Sequence, residues 1–334
     1  MAYTLDLPLL KRLSEIAGIP GREARIRQAI AEIVEPLVDE LRIDRLGNLI
    51  ALKRGQSGKK VLLAGHMDEI GFLVKYIDDN GFVRLHPLGG FDPKTLVAQR
   101  VIAHGTQDIV GVIATKPIHV MSPEERAKSD LKLEDLMVDF CLPADELRKI
   151  LKPGDWVSRK QDLIEMGHGI NGKSLDNRLS VYALIEAIRH FEGCAHDVYF
   201  AFTVQEEVGL RGAQVAALEI QPDFGIALDV TITYDLPSAK PYEQVTQLGK
   251  GPGIKYVDGS LICDPRLVKF LEQTADKHSI PYQRELMSAG GTDAGMLQRM
   301  VAGGSIAGGL SVPLRHLHTS VELVDKKDLQ HWIQ

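Results

Sequence analysis

KKVLLAGHMDEIG, residues 59–71, is the segment whose reading decides the fold. Its run Val61-Leu62-Leu63-Ala64 is apolar at every position, the pattern of a central strand covered on both faces. Polar groups follow where such a strand would end. His66 and Asp68 are two residues apart, so an extended chain points both to one face. His66 can offer a ring nitrogen to a metal while Asp68 supports it, because a carboxylate partner fixes the tautomer of a ligating imidazole and raises its basicity. By itself the pair reads equally as a strand-end histidine salt-bridged to a neighbour.

Toward the N-terminus, Leu5, Leu9, Leu10, Leu13 and Ile16 fall near helical spacing, with Pro8 suited to a first turn and Gly18 and Pro20 ending the run. A second helix follows Pro20 and Gly21, with Ile26, Ala29, Ile30, Ile33, Val34 and Leu37 on one face and Pro36 near its end. LRIDRLGNLIALKRG, residues 41–55, predicts two short strands about a turn at Gly47 and Asn48. Past residue 73 the texture changes. Short β-like runs (GFVRLHPL, RVIAHG, DIVGVIAT, DWVSRK) alternate with glycines, prolines and one charged stretch, SPEERAKSDLKLEDLM. This predicts a small β-rich insertion over residues 73–164, set into a domain made of residues 1–72 and 165–334. From 165 onward, an amphipathic helix (Val181, Leu184, Ile185, Ile188, Phe191) precedes the strands DVYFAFTVQEE and DFGIALDV. The helix PRLVKFLEQTADKH and the small-residue strand GGSIAGGLSV come after them. Such alternation predicts an α/β fold, a sheet covered by helices on both faces.

The chain has 334 residues, 39 Lys and Arg against 45 Asp and Glu, and a formal charge of −6. Nucleic acid or an anionic membrane surface is an unsuitable partner, since binding either needs surplus positive charge. The three cysteines, Cys141, Cys194 and Cys263, lie far apart with no C-x-x-C pair. They suggest neither a disulfide framework nor a thiolate zinc site, and read as buried free thiols in a reducing compartment. The first residues lack the basic and apolar regions of a signal peptide, and no apolar stretch reaches the ~18 residues of a membrane span. A cytoplasmic location is expected.

Four more segments carry chemistry. Asp176, in GKSLDNRLS, suits a carboxylate bridging two ions, or a helix cap. Gln205-Glu206-Glu207 ends a buried strand, where two consecutive carboxylates are costly unless paired or metal-bound. Regular strand geometry would turn the two apart; at a strand end both can reach one cleft, with one as ligand and the other as general base. Asp229 closes the run 224–228, and His318 lies in RHLHTS after an apolar strand. Ligands of open α/β sheets bind outside the carboxyl ends of the strands. Two histidines with several carboxylates suit zinc, cobalt or manganese better than magnesium or calcium. A rival motif is GHGINGKS, residues 167–174, which matches a phosphate-binding loop and would make the chain a nucleotidase, with IALD at 226–229 as its partner strand. The preceding DLIEM carries Asp162 and Glu165 and makes a poor buried strand, so the match reads as chance in a Gly-rich turn. GGTDAG, with Thr292 and Asp293, reads as a plain turn in preference to a pocket wall.

Taken in order, AGHMDEIG, GKSLDNRLS, TVQEEVGLRGA, ALDV, GGTDAG and RHLHTS resemble the glutamyl/leucyl (deblocking) aminopeptidases that form tetrahedral dodecamers, some of whose members are labelled endoglucanase or cellulase M. The resemblance spans nearly the whole chain. It implies a zinc-peptidase-like domain with a central mixed sheet, an inserted PDZ-like β domain used in oligomerisation, and a dodecamer built from dimers. It implies two divalent ions, zinc or cobalt first and manganese next, acting on the N-terminal residues of short peptides. His66, Asp176 and Asp229 would hold one ion, and Asp176, Glu207 and His318 the other. Glu206 would be the general base, with Asp68 orienting His66. The wider clan implies a cis peptide bond between Asp176 and Asn177. The alternative activity is hydrolysis of another amide or of a glycoside.

Overall fold

The computed structural model describes residues 3–127 and 130–334. In chain order the strands are β1 (Glu40–Ile43), β2 (Leu49–Lys53), β3 (Lys60–His66), β4 (Gly71–Ile77), β5 (Phe82–Leu88), β6 (Arg100–His104), β7 (Asp108–Ala114), β8 (Met137–Asp139) and β9 (Trp156–Arg159). They continue with β10 (Ile164–Met166), β11 (Gly169–Gly172), β12 (Asp197–Thr203), β13 (Phe224–Ile232), β14 (Gly253–Val257), β15 (Gln283–Leu286), β16 (Ile306–Arg315) and β17 (Glu322–Asp325). The α-helices are α1 (Leu7–Glu15), α2 (Ala24–Val34), α3 (Pro123–Ala127), α4 (Ala144–Ile150), α5 (Leu175–Arg189), α6 (Arg211–Ile220), α7 (Pro265–His278), α8 (Ala294–Arg299) and α9 (Lys326–Ile333).

An 11-stranded mixed sheet runs in the order β1-β2-β12-β3-β13-β16-β17-β11-β10, with β14 and β15 branching from β16. Its middle, β12-β3-β13-β16, is parallel, and antiparallel strands flank it on both sides. The four-residue apolar run of β3 works as expected. Leu62 and Ala64 join a core of Ala213, Ala216 and Ala217 from α6 and Leu297 from α8, while Val61 and Leu63 pack on the opposite core with Leu179, Leu184 and Ile185 of α5. Both faces of the strand are therefore dry, which is why it shows no polar alternation. Helix α5 comes so close to β3 that a Cβ on Gly65 would sit 2.7 Å from the Ser180 Cβ. Glycine beside His66 is what permits that approach.

At the N-terminus, Pro8 lies in the first turn of α1, and the Asp6 carboxylate caps it by accepting from the Leu9 N–H. Pro36 falls in a 3-10 turn that ends α2. The expected hairpin at Gly47 and Asn48 pairs β1 with β2, its turn gathered by Asp44 Oδ1, which accepts from the N–H groups of Leu46, Gly47 and Asn48.

The β-rich middle of the chain closes on itself as a barrel, β4-β5-β8-β7-β6-β9. Its own core holds Phe72, Val74, Val83, Val101, Ala103, Ile113, Val138 and Val157, with Phe91 stacked on Phe72 at 4.3 Å. Closure leaves no sheet edge to cover. The cysteine expectation needs correction. Cys263 is buried beside Leu261 and Val268, but Cys141 and Cys194 are exposed, because they fall in the bend after β8 and the turn before β12. Among the described residues no helix is long and apolar enough to cross a membrane.

Candidate active site

The parallel strands deliver their polar groups to one end of the sheet. His66 is the last residue of β3. Strand β13 pairs with β3 only as far as Ala227 opposite Ala64, then continues paired with β16 alone, so Asp229 comes level with His66. This explains why Asp229 lies inside a strand longer than its apolar run. The chain leaving β12 turns at Gln205, a non-glycine residue with φ of 54°. That left-handed turn cancels the alternation of Glu206 and Glu207 and brings both to the cleft. Asp68 fixes it: Oδ1 accepts from the Glu206 N–H at 3.1 Å and Oδ2 from the Glu207 N–H at 3.2 Å. The same carboxylate stands 3.4 Å from His66 Nδ1. Asp68 thus stands beside the imidazole, its backbone carbonyl 3.2 Å from His66 Nδ1, and also seats the two glutamates, which the sequence did not reveal.

Asp176 stands at the centre. Its Oδ1 lies 3.1 Å from His66 Nε2 and its Oδ2 lies 3.3 Å from His318 Nε2. His66 Nε2 is also 3.7 Å from Glu206 Oε2 and 3.9 Å from Asp229 Oδ1; His318 Nε2 is 3.5 Å from Glu207 Oε2. His318 Nδ1 donates to the Gly90 carbonyl at 2.9 Å, which turns Nε2 toward Asp176 and Glu207. Two groups of donor atoms result, His66-Asp176-Asp229 and Asp176-Glu207-His318, each spanning no more than 4.8 Å, with Asp176 in both. Asp176 does not cap a helix. Asp176 and Asn177 have non-helical dihedrals, and the Asp176-Asn177 bond is cis. Arg178, fully buried, pins this start of α5 by donating to the carbonyls of Met67, Leu13 and Ile16.

The electrostatics follow from burial of like charges. Burial, with Asp229 and Glu207 nearby, raises Glu206 well above the carboxylate range against the pull of His66. Burial and Asp176 push Glu207 to about 8, and burial and Asp176 push Asp229 to about 8 despite His66. Burial would lower His66, but Glu206, Asp176 and Asp68 outweigh it and hold the ring well above its usual value. Burial likewise opposes His318, which Asp176 and Glu207 carry up to about 9. Asp176 goes the other way: burial raises it, yet the two imidazoles hold it below the carboxylate range. Among the described residues, the ion pairs formed by Asp176, Glu206, Glu207 and Asp229 are with His66 and His318 alone. Glu207 Oε1 is buried with no hydrogen-bond partner. A set of buried oxygen and imidazole donors with excess negative charge and an orphaned carboxylate oxygen fits divalent cations, which supply the missing positive charge.

The groups open into a cavity of about 760 Å³, also walled by Phe91, Thr231, Lys255, Asp258, Met287 and Thr292. The plain-turn reading of GGTDAG is overturned here. Thr292 lines the cavity, and Asp293 is buried, accepting from the Thr203 hydroxyl with Oδ2 while Oδ1 has no partner. An acid directly before an Ala-Gly helix start was the available signal. Residues 167–174 form the turn between β10 and β11, strand β11 itself and the approach to α5. Lys173 is buried, its ammonium 2.9 Å from both oxygens of Glu69, so it is not presented to a phosphate. Glu69, Glu322 and Glu23 form buried supports that the sequence reading passed over; Glu23 Oε1 accepts from the Gln205 N–H at 3.3 Å.

A mixed sheet whose parallel strand ends gather histidines and carboxylates into two cation-sized groups sharing one aspartate defines a metal-dependent hydrolase of the zinc-peptidase kind. The model of the M42 glutamyl aminopeptidase family matches residues 47–334, and the chain belongs to that family. It is 36% identical over 338 residues to the lysyl aminopeptidase of Pyrococcus furiosus, covering 99% of this chain and 95% of that one. The TET aminopeptidase of a marine sediment archaeon, Thaumarchaeota archaeon SCGC AB-539-E09, superposes with a TM-score of 0.94 at 36% identity over 98% of this chain and 93% of its own. The TET1 peptidase of Pyrococcus horikoshii, described as assembling into a tetrahedron or a large octahedral shell, gives 0.88 at 34% identity, over 98% and 96%. The chain is accordingly a peptide hydrolase of the aminopeptidase class.

Proposed function

We propose that the chain removes N-terminal residues from short peptides, with His66, Asp176 and Asp229 holding one divalent cation and Asp176, Glu207 and His318 the other. The observation that carries this is the two-sided use of Asp176, one carboxylate oxygen facing each histidine. The cations, zinc or cobalt by the donor set and manganese next, supply the positive charge that polarises a carbonyl and acidifies a water. Glu206 is the general base. Its Oε2 sits at the edge of the cluster, 3.7 Å from His66 Nε2, and takes the proton of the attacking water. The same oxygen then returns that proton to the nitrogen of the leaving peptide. Asp68 holds His66 in orientation and keeps the Glu206 backbone in place.

The inserted segment, residues 73–164, is read as an oligomerisation domain and the remainder, residues 1–72 and 165–334, as the catalytic domain. The tetrahedron or octahedral shell described for the Pyrococcus horikoshii relative supports a homo-oligomer for this chain as well, and we read it as a dodecamer built from dimers. The charge balance argues against a nucleic-acid partner, and the enzyme is read as cytoplasmic. Chelation followed by metal restoration tests the reading. Aminoacyl-anilides should be cut only after zinc, cobalt or manganese is returned, and N-acetylated versions should resist. Chelator-insensitive cleavage of a glucan, with no anilide turnover, would favour the glycoside alternative, whose two-carboxylate chemistry normally needs no paired metals.

A further inference from the structure

We propose that the β-barrel is a working part of the metal centre: Arg159, at its last strand, is a positioning residue for the half of the site built on Asp176, Glu207 and His318. The inference rests on the two-cation reading above.

His318 sits on a loop that local geometry does not favour. His316 and His318 both have left-handed backbones, with φ of 60° and 61°. Residues with a side chain avoid that region, so contacts from outside the loop must hold it. Three do. Glu322 accepts from the His318 N–H at 3.1 Å with Oε1 and from the Asp176 N–H at 3.1 Å with Oε2, so one buried carboxylate ties together the backbones of two proposed ligands. The other two contacts come from the barrel. The Gly90 carbonyl, just past β5, fixes the His318 ring through Nδ1, and the Arg159 guanidinium donates through Nη1 to the Thr319 carbonyl. That nitrogen also stands 3.9 Å from Glu322 Oε1, and Nη2 stands 3.9 Å from Glu69 Oε2. Arg159 is only 2% exposed, and its Nε has no partner. Burying an incompletely satisfied guanidinium is an expensive way to glue two domains, where apolar contact would serve. The placement of one nitrogen explains it: Nη1 donates to the loop carbonyl while standing at ion-pair distance from the Glu322 carboxylate that holds the same loop. Among the described residues, His66 and Asp229 receive no such contact from the barrel, so the two halves of the site should respond differently.

The test is cation binding to metal-stripped full-length protein, by chelator competition with zinc, in the wild type, Arg159→Met and Arg159→Lys. The wild type should show two dissociation constants. Arg159→Met should weaken one by ~10–100-fold, the usual effect of losing an outer support, and leave the other in place. Arg159→Lys keeps the charge and should fall between. Both constants unchanged in Arg159→Met, or both weakened by the same factor, would overturn the inference. Where Arg159→Met does not fold, Arg159→Lys decides: a loss confined to one site supports the inference, and wild-type constants at both overturn it. A wild-type protein that binds fewer than two cations would sink the two-cation reading and this inference with it. Two wild-type cations with unaffected variants would sink this inference alone.

Discussion

Glu206→Gln separates chemistry from metal binding. Among the described residues the Glu206 carboxylate has no hydrogen-bond partner; its ion pair is with His66 Nε2 at 3.7 Å, and it is crowded by Asp229, Glu207 and Asp293. The support from Asp68 reaches the Glu206 backbone and not its side chain, so glutamine of the same shape should leave the turn intact. Burial holds Glu206 protonated in the folded metal-free protein, so folding takes up a proton that glutamine does not need, and the metal-free variant should melt at or above the wild-type temperature. Turnover should behave oppositely. Losing a general base costs ~10²–10⁴-fold, which at ~1.36 kcal/mol per decade is about 2.7–5.4 kcal/mol of transition-state stabilisation. The assay is steady-state hydrolysis of an aminoacyl-anilide, with metal content measured on the same preparation. Two bound metals with near-normal kcat would remove Glu206 from the mechanism. Lost metals would show instead that Glu206 belongs among the ligands.

Asp68→Ala should cost more than its distance from substrate suggests, since it strands the Glu206 and Glu207 N–H groups and frees the His66 ring; a chelator titration should show ~10–100-fold weaker cation binding, and unchanged affinity would refute the supporting role. Metal-free protein should lose stability as pH rises from the ordinary carboxylate range to about 9. Glu207 and Asp229 at about 8 and His318 at about 9 all lie above their unfolded values, so the folded state holds more protons across that window and releases them as pH climbs. Asp176 has the opposite sign, and its contribution fades only as pH falls below the usual carboxylate values. Melting curves should show added cation flattening the alkaline decline. Lys173→Met should leave the buried Glu69 short of its closest cation and destabilise the fold by ~3–5 kcal/mol in urea titrations; a fully stable variant would mean that Arg159 and Arg178 neutralise Glu69 unaided.

The α/β architecture was legible because it depends on short-range patterning: four apolar residues before His66, helical spacing in α1 and α2, and glycine-rich β texture in the middle of the chain. The strand-end positions of His66 and Glu206 could be read for the same reason. Asp229 needed the register of β13 against β3, and the joint reach of Glu206 and Glu207 needed the left-handed turn at Gln205. Closure of the barrel, the exposure of Cys141 and Cys194, and the burial of Asp293 were equally outside what periodicity encodes. Hydrophobic burial repeats with the local geometry of helix or strand and therefore leaves a periodic trace in the sequence. A buried charge is set by whatever group folding brings within a few ångströms. Glu322 between Asp176 and His318, and Arg159 behind it, leave no such trace: their partners are distant in the chain or reached across a loop, and only tertiary structure brings them together.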